Sequence, residues 1–227
     1  MRSGRRWGWV AAVWLGGLGV ALAGTNYEAS VRAGEAAQRA GHGSAALVEY
    51  SAALAQAANT TERALALAKK ATVHAYVHQD YAAAQAAARS ALDLTNARPV
   101  ARVTALQVLA ECQMKAEGDN VAAAGTLEEA LLLPEVDWAR PTLLLMLGDA
   151  YRLTGQFTMA LANLQELQDL PDADTGAKGT GMLNTGFIYQ YGLKDPAKAR
   201  AAYAAAVRLR PDLQAEVARH EAGMAAP

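Results

Sequence analysis

His74 and His78 stand four residues apart, a spacing that puts two imidazoles on one face of a helix and can hold a metal ion. The residues between them are Ala-Tyr-Val, so the glutamate of a metalloprotease helix is missing, and Asp80 is the nearest third ligand. The pair reads as solvent-facing or packed histidines, and no metal site is expected. Cys112 is the only cysteine. It has no partner for an internal disulfide and no basic residue directly beside it in sequence, so it reads as a small apolar helix residue. His42 falls in a turn and His220 near the C-terminus, with nothing beside them to activate them. The carboxylate pairs Glu128-Glu129 and Glu216/Glu221 lie on stretches that read as solvated helix faces. No phosphate-cradling glycine loop, Gly-x-Ser-x-Gly or paired-cysteine motif occurs. With no convergent acid, base or nucleophile, these residues predict no catalytic site, no cofactor and no enzyme.

The elements that carry these residues follow from composition. Of the 227 residues 52% are hydrophobic, much of that alanine, and only two are phenylalanine. Alanine buries little surface but is the best helix former and lets helices approach closely. The expectation is many closely packed helices with no large aromatic core. No run of alternating valine, isoleucine and threonine suggests a sheet, so the fold class is all-α. The chain carries 21 basic and 22 acidic residues, and Arg2, Arg5 and Arg6 all precede the first acidic residue, Glu28. Without those three, 18 basic groups (21 less 3) face 22 acidic ones, a net of −4. A mildly acidic protein with no basic stripe excludes nucleic acid as a partner, because phosphate neutralisation supplies most of that affinity.

The first residues read as an address. MRSGRR is followed by an apolar run of 17 residues, Trp7 to Ala23, that ends small-x-small at Ala21-Leu22-Ala23. These are the three parts of a secretory signal, here residues 1–23, and cleavage would leave Gly24 first. The run is at the short end for a membrane-spanning helix. Two outcomes stay open: a periplasmic or secreted protein freed by cleavage, or an inner-membrane protein facing outward on an uncleaved anchor. Either way the helical part lies outside the cytoplasm.

Beyond the address the sequence repeats itself. Five segments share one pattern, anchored on Ala46, Ala84, Ala123, Ala160 and Ala199 at intervals of 38, 39, 37 and 39. Packed positions four and then three residues further on fall on one helix stripe. Upstream of each lies a second helical stretch and a turn: AGHGS, HQDY, EGDN, TGQF or GLKDP. Asp195 before Pro196 is a helix N-cap followed by a first-turn proline. Each unit is therefore helix–turn–helix.

The stretch from Pro141 to Pro171 resembles a tetratricopeptide repeat, through Leu144, Leu147, Gly148, Tyr151, Gly155, Phe157, Ala160 and Leu164. The fifth unit is similar through Gly186, Tyr189, Ala199, Tyr203, Ala206 and Pro211, and the first through Gly34, Gly41, Ala46, Tyr50 and Ala53. The second and third keep less: Tyr81, Ala84 and Ala91, then Ala123 and Ala130. Leu167 stands where the family has alanine, and the period exceeds the usual 34, which one extra helical turn per unit would explain. The last repeat also has Sel1-like character in GLKDPAKARAAY.

The resemblance implies a right-handed α-α superhelix, a solenoid of about five helix–turn–helix repeats over residues 27–210. Residues 211–227 would supply a C-terminal capping helix and tail. Gly148, Gly186, Ala160 and Ala199 should lie where helices touch, and Tyr151, Tyr189 and Tyr203 should pack between helices. The family's usual work is to hold a protein or peptide on the concave face lined by first helices. Transferred residue by residue, that face comprises Glu35, Gln38 and Arg39; Lys69, Val73 and Tyr76; and Gln107, Glu111 and Met114. It continues with Leu145, Asp149 and Arg152, then Leu183, Phe187, Gln190 and Tyr191. The lysine and asparagine set that clamps a C-terminal carboxylate in chaperone adaptors is absent from the first repeat. The implied function is an exported adaptor or scaffold for a protein or peptide. The alternative is a membrane-anchored structural or assembly subunit of an envelope complex.

The address reading is checked by mass. Intact mass of the protein from the soluble envelope fraction is expected to correspond to a chain beginning at Gly24. A membrane-pelleted protein retaining Met1 would establish the anchored alternative.

Overall fold

Each alanine-rich stretch bounded by turn residues becomes a helix, and no strand forms among the described residues. The structure, a computed structural model, describes residues 26–225. The signal expected over residues 1–23 lies outside them. Among the described residues no helix is long and apolar enough to cross a membrane.

The described residues divide into two compact bodies, which meet in sequence at Cys112 and Gln113. In the first, α1 (26–39) pairs with α2 (Gly43–Gln56), α3 (Thr60–Val73) pairs with α4 (Tyr81–Leu92), and α5 (Pro99–Cys112) follows. The second holds α6 (Asn120–Leu131), then α7 (Arg140–Leu153) against α8 (Phe157–Asp169) and α9 (Thr175–Phe187) against α10 (Pro196–Leu209). A short 3-10 turn, Pro211–Leu213, leads to α11 (Gln214–Ala225).

Side chains start the helices. Asn59 accepts from the Glu62 amide at the head of α3, at 3.0 Å. Asp80, Asp119, Asp174 and Asp195 do the same for α4, α6, α9 and α10, each accepting from the amide three residues on at 2.8–3.1 Å. Each satisfies an amide that has no partner within its helix. Each hairpin turn places one residue in the left-handed region just before the second helix: Gly41, Gln79, Gly118, Gly155 and Lys194. Glycine adopts it freely, and Gln79 and Lys194 adopt it at some cost.

The long repeat period has two sources. In the second, third and fifth repeats the first helix runs on through a π-helical turn, His74–His78, Gln113–Glu117 and Ile188–Gly192. Its wider turn is closed by bonds five residues apart such as Leu193 N–H to Ile188 C=O, at 2.9 Å. These three are the repeats whose second helix is capped by aspartate. The first helices α1 and α7 have no such turn, and the connection 132–139 ahead of α7 carries the fourth repeat's extra residues. The expectation of one extra turn in every unit is corrected accordingly.

The repeated stripe is the core. Its fifteen positions, from Ala46, Tyr50 and Ala53 to Ala199, Tyr203 and Ala206, are all at most 1% exposed. Gly148 and Gly186 are buried on the facing first helices, as expected. A Cβ on Gly34 would come within 2.5 Å of the Tyr50 ring, and one on Gly148 within 2.8 Å of Leu164. One on Gly186 would overlap the Tyr203 ring. Where the second helix carries only Ala88, the first carries Ala71, and both are fully buried in one cluster. Cys112 is buried in that cluster too, as a small apolar residue.

Two readings of the polar residues change. Glu128 is exposed, yet its Oε1 accepts from the Tyr151 hydroxyl, so it is not merely a solvated carboxylate. His220 is also engaged, as described below.

Opposite signs are expected for one substitution at different sites. Gly34→Ala and Gly186→Ala each destabilise by about 1–3 kcal/mol, because the ring opposite must move. Gly125→Ala, in α6 with nothing within 4 Å of the added methyl, stabilises by about 0.5–1 kcal/mol. Urea unfolding of the three variants reads both signs.

Candidate functional site

In the first body the nominated residues stand on α1, α3 and α5. Glu35 and Lys69 meet across α1 and α3, Nζ to Oε1 at 2.6 Å. The same ammonium lies 5.9 Å from the centroid of the Tyr50 ring, whose hydroxyl donates to Gln38 Oε1 at 2.9 Å. Arg39 borders this group, and with Glu35 and Gln38 it lines a hollow of 350 Å³. Further along, Tyr76 is 44% exposed through its ring, while its hydroxyl bonds the Gln107 side chain. Burial of that hydroxyl, aided by the Glu111 carboxylate, pushes its pKa well above the usual phenol value. Val73 is fully buried against Ala46 and Tyr50 and lines no face, which corrects that assignment.

The His74 and His78 rings lie 6.3 Å apart, with Asp80 Oδ2 4.0 Å from His74 Nδ1. Partial burial lowers the His74 pKa, and Asp80 pulls it the other way. Among the described residues no group of three His, Cys, Asp or Glu side chains could hold a metal ion.

In the second body Asp149, Arg152, Phe187 and Tyr191 come together. The Arg152 guanidinium donates twice to Asp149 Oδ1, at 2.9 and 2.5 Å, and its Cζ lies 5.8 Å from the centroid of the Phe187 ring. Phe187 and Tyr191 rings are 6.3 Å apart, and Tyr191 is 53% exposed. Leu183 is buried and belongs to the core rather than the face. Phe187 is half-buried against the cluster of Leu183, Ala199, Tyr203, Ala206, Leu213 and Val217.

Sequence reasoning missed His220. Its ring packs edge-on to Phe187 at 4.7 Å and lies over Tyr203 at 6.2 Å, and its Nδ1 is 2.8 Å from the Tyr191 hydroxyl. Its carbonyl accepts from Gln190 Nε2 at 3.0 Å, and Gln190 Oε1 accepts from Tyr203 at 2.5 Å. The only signal was the spacing of Leu213, Val217, His220 and Met224 through the short turn and the last helix. Of the tyrosine stripe, Tyr151 and Tyr203 are buried, while Tyr189 is half-exposed beneath the Lys198 ammonium at 5.4 Å.

No protein-family model matches the chain, and no curated protein matches it. Solved structures do. YrrB, a TPR protein with an unusual peptide-binding site, superposes at a TM-score of 0.59 with 20% identity over 86% of this chain and 90% of that one. TTC0263, a thermophilic TPR protein in Thermus thermophilus, gives 0.62 with 21% identity over 86% and 98%. MamA gives 0.56 with 17% identity over 85% and 96%. The fold is a tetratricopeptide-repeat fold. At these identities the chains share the backbone path of the TPR hairpins, and the first-helix face described above is this chain's own.

The buried phenols predict an alkaline limit. Burial raises Tyr27, Tyr50 and Tyr151 from 10.0 to about 12, with Glu62, Glu35 and Glu128 respectively adding to the effect. A pKa raised on folding adds stability that is complete below the unfolded value and is lost as pH climbs through the folded one. Denaturant midpoints are therefore expected to fall between pH 10 and about 12, with phenolate absorbance rising alongside. Tyr50→Phe is expected to flatten that decline.

Proposed function

We propose that this TPR protein is an exported, non-enzymatic scaffold that holds a protein or peptide segment against the first-helix faces of its repeats. The observation that carries the reading is the convergence of Asp149, Arg152, Phe187 and Tyr191 on neighbouring first helices. It sets an ion pair and a partly exposed ring side by side, and arginine and aromatic residues dominate protein-recognition hot spots. The peptide-binding site of YrrB, on the same fold, supports a peptide as the occupant. Export rests on the apolar run from Trp7 to Ala23 and its small-x-small ending.

Much of each face is already laced to its neighbours. Lys69 holds Glu35, Gln107 holds Tyr76, and Arg152 holds Asp149. Affinity from these positions therefore comes mainly from ring surface and from the outer edges of the pairs, since a charge stripped of its partner and covered by a peptide costs more than it returns.

Peptides enriched from a random displayed library against the mature chain provide the test. Tyr191→Ala is expected to weaken their binding at least about tenfold, the loss typical of a hot-spot residue. Its melting temperature should stay near wild type, because Tyr191 is 53% exposed. Phe187→Ala is the poorer test, since Phe187 also packs on the core. Full binding by folded Tyr191→Ala removes this face from the reading.

A further inference from the structure

The last helix sits on the ring cluster by one stripe. Leu213, Val217, His220 and Met224 recur at intervals of four, three and four, which places them on a single face of α11 and the turn before it. Leu213 and Val217 are buried against Tyr203, Met224 packs beside them, and His220 makes the ring and hydroxyl contacts with Phe187, Tyr203 and Tyr191. This is the geometry of an amphipathic helix lying in a groove.

The seat is better made than its occupant. Val217 is the one buried residue described in α11, against four in α10, namely Ala199, Ala202, Tyr203 and Ala206. No side chain caps the turn that starts α11, and Gly223 interrupts its last turns. A hollow of 290 Å³ opens at the far end of the seat, lined by Gln190, Tyr191, Lys194, Pro196, Gly223 and Met224. The segment just ahead of α11 is, by contrast, well anchored. Arg210 donates to Thr180 Oγ1 at 2.8 Å, pairs with Asp212 at 2.5 Å and packs its stem against Gly179.

We propose that α11 is a displaceable latch, held in cis on a seat that accepts an amphipathic helix with apolar or aromatic residues at positions 0, 4, 7 and 11. Opening leaves α11 tethered through Arg210, and a partner helix of the same pattern takes its place against Phe187, Gln190 and Tyr203. The tether makes the latch a strong competitor, because an attached segment acts at a high effective concentration. The inference deepens the scaffold reading by naming the partner class, and rests on it only for the partner's being another protein. Exchange of the helix is measured whether or not the Tyr191 test succeeds.

The probe is a labelled synthetic peptide of residues 211–225, offered to the full chain. The Val217→Asp, His220→Ala double variant, whose own latch is weakened, is expected to bind it about 100-fold more tightly than wild type. A peptide carrying the same two changes should bind neither chain. A folded double variant that ignores the native peptide, or a wild type that binds it equally well, overturns the latch. Native-state hydrogen exchange of the wild type reads the same motion without a variant. Amides of α11 should exchange at least about 100-fold faster than those of α9 and α10, as a locally opening segment does. Exchange of α11 in step with α9 and α10 overturns the proposal even if the double variant does not fold.

Discussion

In the first, fourth and fifth repeats the large side chain at the middle of the second helix depends on one close approach. The first helix must present bare backbone to it. Tyr50 lies on Gly34, Leu164 on Gly148, and Tyr203 on Gly186, with no room for a methyl group in between. Alanine opposite alanine serves the second repeat, where Ala71 and Ala88 share a fully buried cluster. An interior packed to near-crystal density tolerates neither an extra methyl nor a missing ring, so the two positions must be chosen together. The hairpin is closed by that complementary choice, and the first-helix faces exist only because the hairpins close.

The same approach organises polar groups as well as apolar ones. Tyr50 and Tyr203 each cross their glycine and deliver a hydroxyl to a glutamine four residues further along the first helix, Gln38 and Gln190. A buried phenol needs such a partner, because an unsatisfied hydroxyl in the core costs free energy that packing does not return. Those glutamines stand on the face the scaffold reading uses. Packing between the helices of one hairpin thus fixes side chains on the surface beside it, and Gln190 carries the order on to His220 through its amide.

The first-helix face is accordingly a laced surface. Lys69 with Glu35, Tyr76 with Gln107 and Arg152 with Asp149 hold one another in place, leaving rings such as those of Tyr76 and Tyr191 exposed over fixed polar groups. Rings held in this way lose little further freedom when a partner arrives, which favours binding. The hold on α11 is thin, with Val217 the one buried residue described in it.

The helices, the cap at Asp195, the repeat and the buried stripe are all legible in the order of residues. Each of these is written in neighbouring residues, because a helix brings positions three and four apart onto one face and an aspartate caps the amides next to it. All fifteen stripe positions and the N-cap at Asp195 could be read that way. Tertiary structure alone decided which stripe neighbours become face and which become core. Val73 and Leu183 look like face positions by register yet are buried by a packed neighbour, while Glu128 reads as solvated yet holds the hydroxyl of Tyr151, 23 residues away. His220 and its rings, 17 to 33 residues apart in the chain, meet only when α11 seats. The π-helical turns are likewise invisible in a list of residues. The reason is common to all of these: pattern reports the order a helix imposes along itself, whereas a contact between helices depends on the pitch and length of both, and those are settled only when the hairpins pack.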